Sequence, residues 1–181
     1  MEFQLRLSKA ADVEPIRELI ADSVRGLAKG IYNDAQIELS IRSVFGVDHQ
    51  LIEDGTYFVA EAGGRIVGCG GWSRRRTLFG ASEYAQSRNS TLLDPASEPA
   101  KIRAFFVHPD AARMGIGRAI LGRCEAEALG EGFASAEMMA TLPGVPLYEV
   151  CGYEKHEYQD VNLPDGETIV CVRMSKRLTC K

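Results

Sequence analysis

The stretch from Lys101 to Leu121 constrains this chain more than any other. Lys101 to Val107 (Lys-Ile-Arg-Ala-Phe-Phe-Val) is an apolar strand, and His108-Pro109-Asp110 stops it. A helical stripe then begins, with Ile116, Ile120, Cys124 and Ala128 one turn apart, and runs to Gly130 or Gly132. Strand, sharp loop and helix follow without a spacer, so the helix must fold back over the sheet that holds the strand. Its first turn contains Gly115 and Gly117. Small residues there let a ligand approach the backbone, and free N–H groups at the positive helix end favour an anion. Arg113 and Arg118 add positive charge, and the segment suits a pyrophosphate. A Rossmann fingerprint fails, because Ile120 stands where the third glycine belongs. A phosphate loop of the Gly-Lys-Ser/Thr kind fails too. Glycines that merely ease a tight strand-to-helix turn are the plain alternative.

The flanking pattern extends this unit. Phe3 to Leu7 alternates as an opening strand. A helix follows with Asp12 as its cap and Val13, Ile16, Ile20, Val24 and Leu27 on one face, and a second begins near Asp34 with Ile37, Ile41, Val44 and Phe45. Segments 56–62 and 65–72 form a hairpin around Gly63-Gly64. Residues 74–99 break all periodicity; a lid over an acceptor site and disorder are both open. Strand 134–140, a short helix 146–150 closed by Gly152, and strands near 153–158 and 168–174 complete the chain. The order is β-α-α-β-β-β-α-β-α-β-β. It predicts one α/β (α+β) domain spanning 1–181, with a mixed sheet and helices on both faces.

At 181 residues the chain suits one such domain. With 21 basic against 25 acidic residues, the net charge of −4 argues against nucleic acid as a partner. No apolar run approaches the roughly 20 residues of a membrane span, and Met1-Glu2-Phe3-Gln4 does not open a signal peptide, so a cytoplasmic protein with no membrane partner is expected. Cys69, Cys124, Cys151, Cys171 and Cys180 form no Cys-x-x-Cys pair and read mainly as buried small hydrophobes. His49, His108 and His156 lie far apart, so no metal site is expected.

The run Val107-His108-Pro109-Asp110 followed by Gly115-Ile116-Gly117-Arg118-Ala119-Ile120-Leu121 closely resembles the acetyl-coenzyme A loop of the GNAT superfamily of N-acetyltransferases. The family pattern is Gln/Arg-x-x-Gly-x-Gly/Ala. Here Ala112 occupies the Gln/Arg position and Arg113 is displaced by one, a departure that leaves a cradle of backbone N–H groups intact. Pro146-Leu147-Tyr148-Glu149-Val150-Cys151-Gly152-Tyr153 resembles the family's Phe-Tyr-x-x-x-Gly-Phe ending.

The resemblance implies a mostly antiparallel sheet splayed between strands 101–107 and 134–140, with pantetheine inserted like an added strand. Backbone groups of Phe105, Phe106 and Val107 would bond its amides, and the Phe105 N–H would polarise the thioester carbonyl as an oxyanion donor. Ala112, Arg113, Met114, Gly115, Ile116, Gly117 and Arg118 would wrap the pyrophosphate. An amine of a small molecule or peptide would attack acetyl-coenzyme A directly, with no acetyl-cysteine, and Tyr148 would protonate the departing thiolate as general acid. A packed helix tyrosine is the plain alternative for Tyr148. Where some members place a glutamate base stands Lys101; Glu98, Glu137 and a water chain are the remaining options.

Tyr32, Trp72 and the 74–99 loop are positional candidates for the acceptor pocket. Arg74-Arg75-Arg76 reads either as a solvated loop or as a site for an acidic group. Met138-Met139 reads as strand packing. The expected partners are the amine acceptor and, as one oligomeric option, a second copy of the chain. A catalytically silent acyl-coenzyme A sensor of the same fold is the alternative to the enzyme.

Overall fold

The computed structural model describes residues 2–79 and 89–179. Seven strands form one sheet: β1 (Gln4–Leu7), β2 (Tyr57–Ala62), β3 (Arg65–Ser73), β4 (Ala100–Val107), β5 (Ser135–Thr141), β6 (Glu154–Asn162) and β7 (Thr168–Arg177). Their spatial order is β1-β2-β3-β4-β5-β7-β6, antiparallel everywhere except between β4 and β5. The α/β reading with a mixed, mostly antiparallel sheet holds. Parallel neighbours need a crossover, and the helix after β4, α4 (Ile116–Gly130), supplies it. Its apolar stripe Ile116, Ile120, Leu121, Cys124 and Ala128 is buried on one face of the sheet with Ile102, Ala136 and Met138.

The opposite face is covered by α1 (Val13–Leu27) and α2 (Asp34–Ser43). Ile16, Leu19, Ile20 and Val24 of α1 point inward, as the sequence periodicity predicts. Asp12 sits before α1, accepts the Lys9 N–H at 2.9 Å and takes both guanidinium nitrogens of Arg6 at 2.7 and 3.0 Å. Asn33 and Gln36 close a reciprocal capping box at the start of α2. That helix stops at Ser43, so Val44 and Phe45 leave the expected helical stripe and enter a turn. A five-residue helix absent from the sequence reading, α3 (His49–Glu53), follows with Asp48 as its cap. The last helix, α5 (Val145–Val150), lies beyond the end of β5. Among the described residues no helix is long and apolar enough to cross a membrane.

Candidate active site

β4 and β5 are paired only at Ala100↔Ala136 and Lys101↔Glu137. Beyond those positions β4 stays bonded to β3 as far as Val107↔Gly68, and β5 stays bonded to β7 as far as Thr141↔Cys171. Each strand follows its outer neighbour, and a wedge opens between them. At the closed end the Lys101 ammonium is ion-paired with the Glu137 carboxylate, both nearly buried. Arg173 Nη1 approaches Glu137 at 3.4 Å and its Nε bonds Glu157 at 2.9 Å. This row of charges ties β4, β5, β7 and β6 together at the vertex. Lys101 and Glu137 are thus held by each other, and Glu98 pairs with Arg76. None of the three lines the open cleft.

The inner edge of β4 is bent. Arg103 pairs with Gly71 and Phe106 with Cys69, so Ala104 and Phe105 together face the single residue Gly70. This is a β-bulge with Ala104 in the left-handed region at φ 56°. The Phe105 ring lies over Gly70, where a Cβ would sit 2.7 Å from it. The extra residue puts Ala104 and Phe106 on the α1 and α2 side and Phe105 on the α4 side. The His108 N–H turns outward to the Val67 carbonyl at 2.9 Å, and by the alternation of a strand the Phe106 N–H shares that side. The Val107 N–H turns the other way, onto Ser23 Oγ at 3.2 Å. By the alternation of a strand, the Phe105 N–H shares Val107's side, facing the wedge.

Tyr148 on α5 comes to the same place. Its ring meets that of Phe105 edge-on at 6.3 Å and that of Tyr153 at 6.1 Å. Burial pushes its phenol pKa up, and its hydroxyl has no hydrogen-bond partner among the described residues. Two residues 43 positions apart in sequence, Phe105 and Tyr148, therefore line one cleft with Ile102, Met138 and Thr141. The same lining includes Val44, Phe45, Leu78, Phe79 and the nearly buried Arg103–Asp48 pair at 3.5 Å. Asp48 is the one carboxylate among the described residues of this lining, and the sequence reading did not single it out. Its only signal was a capping aspartate after a broken helical stripe.

The loop after β4 reverses the chain and leaves open backbone N–H groups at the start of α4. Ala111 and Ala112 donate their N–H groups back to His108 and Pro109 in a single tight turn. Arg113 at φ 62° and Gly115 at φ 84° then reverse the chain into α4, whose first intrahelical bond is Ala119 N–H to Gly115 C=O at 2.9 Å. The N–H groups of Ile116, Gly117 and Arg118 precede that bond and have no acceptor within the helix. Nothing lies within 4 Å of a Cβ built on Gly115, so its glycine serves the turn. Gly117 serves packing, since a Cβ there would stand 2.8 Å from Leu147 of α5. That contact draws α5, and Tyr148 with it, against the start of α4. Arg113 and Arg118 are exposed and form no ion pair among the described residues. The wedge, the open N–H groups and the two free cations suit a pantetheine and its pyrophosphate.

Other candidates sit elsewhere. Trp72 is buried on the α4 side against Phe133, with Nε1 3.3 Å from Glu127. Tyr32 donates to the Val170 carbonyl at 2.6 Å and accepts the Leu142 N–H at 3.0 Å. Neither lines the cleft. Arg74, Arg75 and Arg76 are paired with Glu131, Asp54 and Glu98. Of the 74–99 segment, Leu78 and Phe79 reach the cleft; residues 80–88 lie outside the described residues. Met138 packs in the core as expected, and both Met138 and Met139 also line the cleft. Cys69, Cys124 and Cys171 are buried, and burial holds all three as thiols, Cys69 and Cys171 pushed up to about 12. Cys180 lies outside the described residues.

A strand wedge beside a helix N-terminus defines an acyl-coenzyme A binding fold, and comparison with known proteins agrees. The model of the acetyltransferase (GNAT) family matches residues 22–153, and the chain belongs to that family. A GCN5-related N-acetyltransferase from Rhodopseudomonas palustris superposes with a TM-score of 0.72 at 18% identity, covering 98% of this chain and 97% of the other. The PaiA N-acetyltransferase from Thermoplasma acidophilum, in complex with coenzyme A, gives 0.65 at 15% identity over 98% and 99%. A phosphinothricin acetyltransferase from Sinorhizobium meliloti, in complex with acetyl-coenzyme A, gives 0.64 at 21% over 98% and 89%. At these identities the likeness establishes the fold. No curated protein matches the sequence.

Proposed function

We propose that this protein is an N-acetyltransferase that moves an acetyl group from acetyl-coenzyme A to an amine of a small molecule or peptide by direct attack. The observation that carries this reading is the meeting of Phe105 and Tyr148 at the wedge between β4 and β5. Acetyl-coenzyme A supplies the activated acetyl group; the chain supplies position and protons. Ile116, Gly117 and Arg118 offer backbone N–H groups to the pyrophosphate, with Ala112, Arg113, Met114 and Gly115 around it. Phe105 and Val107 lie on the wedge side of β4 beside the pantetheine, with the Val107 N–H already held by Ser23, whereas Phe106 turns its backbone groups to β3. The Phe105 N–H stabilises negative charge as it develops on the carbonyl oxygen. As the carbon–sulfur bond breaks, Tyr148, kept neutral by burial, donates its proton to the departing sulfur, and the proton shed by the attacking amine leaves through water. Bound coenzyme A and acetyl-coenzyme A in two structural neighbours support the choice of donor. The acceptor amine enters from the end lined by Phe45, Phe79, Arg103 and Asp48.

The test pairs calorimetry of coenzyme A binding with thiol release from acetyl-coenzyme A across a panel of amines. The expected result is saturable binding and amine-dependent release. Binding without release from any amine would favour the silent sensor, and no binding would overturn the reading.

A further inference from the structure

The left-handed residue of β4 is an alanine, and a residue with a Cβ takes φ 56° only when its surroundings hold it there. The grip on Ala104 comes from outside the cleft. Its carbonyl oxygen lies 3.2 Å from the hydroxyl of Tyr57 on β2 and 3.7 Å from the sulfur of Cys69 on β3. The same hydroxyl is 3.2 Å from that sulfur. Tyr57 and Cys69 are both fully buried, at 0% exposure. Core packing accounts for the tyrosine ring; it does not account for a hydroxyl placed on this one carbonyl.

The consequence follows from peptide geometry. The Ala104 carbonyl and the Phe105 N–H belong to one planar trans peptide and point in opposite directions. Holding the carbonyl toward β2 and β3 therefore aims the N–H into the wedge. We propose that Tyr57 and Cys69 form a brace that sets the Ala104–Phe105 peptide plane, and are thereby positioning residues for acetyl transfer that never touch the substrate. This rests on the acetyltransferase reading and on Phe105 as its oxyanion donor. Burial keeps both donors protonated through the neutral range, with the thiol pushed up to about 12 and the phenol also raised. The carbonyl has two lone pairs, one for each. A donor fixed before the substrate arrives needs no reorganisation as charge develops.

The test reads the donor through the bond it polarises. Acetyl-coenzyme A labelled with carbon-13 at the thioester carbonyl is bound to the wild type, Tyr57→Phe and Cys69→Ala, and the carbonyl stretch is measured by isotope-edited infrared difference spectroscopy. The wild type should shift the band to lower frequency. Tyr57→Phe, which keeps the ring, should lose at least about half of that shift while coenzyme A affinity stays within about twofold, and kcat should fall about five- to tenfold with acceptor KM unchanged. Adding Ala104→Gly, which takes positive φ without strain, should restore part of the shift. Equal shifts in all three proteins would overturn the brace and leave the acetyltransferase reading standing. A shift lost together with coenzyme A affinity would count against the brace, as general damage to the cleft. No shift in the wild type, or no binding, would overturn the underlying reading and the brace with it. Cys69→Ala gives the same comparison if Tyr57→Phe does not fold.

Discussion

In the proposed mechanism Tyr148 is the group most open to a single-residue test. A phenol ordinarily ionises near 10, so at neutral pH it still carries the proton that a leaving thiolate would take up. Burial pushes Tyr148 higher still, which keeps the proton on the ring throughout the working range. Tyr148→Phe preserves the edge-on contacts with Phe105 and Tyr153 and removes only the donor. It should lower kcat by at least roughly tenfold, a floor below the usual range for a positioned acid, with coenzyme A affinity little changed. The wild-type kcat profile should show no falling limb from this group below about pH 10. Steady-state rates with a responsive amine, alongside calorimetry, check both points; full activity in the variant, with chemistry rate-limiting, would assign protonation to water or another group. Lost activity with lost stability would instead mark a packing tyrosine.

At the scale of elements, the wedge depends on where β4 and β5 stop pairing. Both segments read as strands in the sequence, but nothing in it says that their pairing ends at Lys101↔Glu137. That is decided by the neighbours, because β4 continues on β3 while β5 continues on β7. The buried ion pair at this vertex should behave as buried pairs do. Glu137→Gln strands the Lys101 ammonium and should cost about 3–5 kcal/mol. The double change Lys101→Met with Glu137→Leu removes both charges and should cost less than the single one. Urea unfolding of the three proteins checks this; a double variant less stable than Glu137→Gln would show that the charges contribute a net attraction beyond their desolvation cost.

The whole molecule buries an unusual set of weak acids. Cys69 and Cys171 are pushed up to about 12 from an ordinary 9.0, and Cys124, Tyr57, Tyr148 and Tyr153 are also raised, in each case chiefly by burial. The unfolded chain ionises these thiols above about pH 9 while the folded chain keeps them protonated. Stability from this source is therefore complete below about pH 9 and is lost as pH rises toward 12. Each group contributes up to about 1.4 kcal/mol per pH unit. Urea midpoints should hold steady from pH 7 to about 8.5 and fall between pH 9 and 11. A flat midpoint across that range would mean that the thiols titrate alike in both states.

The sequence by itself determined the element order apart from the short α3, the mixed sheet, and the glycine-bearing turn from strand to helix, because these rest on periodicity and on local backbone preference. It also brought Phe105 and Tyr148 forward, through a family resemblance confined to short motifs. Trp72 and Tyr32 were candidates by position alone, and position does not show that the Trp72 side chain takes the α4 face of the sheet or that the Tyr32 hydroxyl is tied to Val170 and Leu142. Only the tertiary structure decided that Trp72 packs under α4, that Lys101 and Glu137 neutralise each other, and that Phe45, Asp48 and Arg103 line the cleft with Phe105 and Tyr148. It alone set Ala104 in a left-handed bulge. That conformation is unfavourable for an alanine in isolation, and it becomes the stable one through contacts with Tyr57 and Cys69, 47 and 35 residues away in sequence.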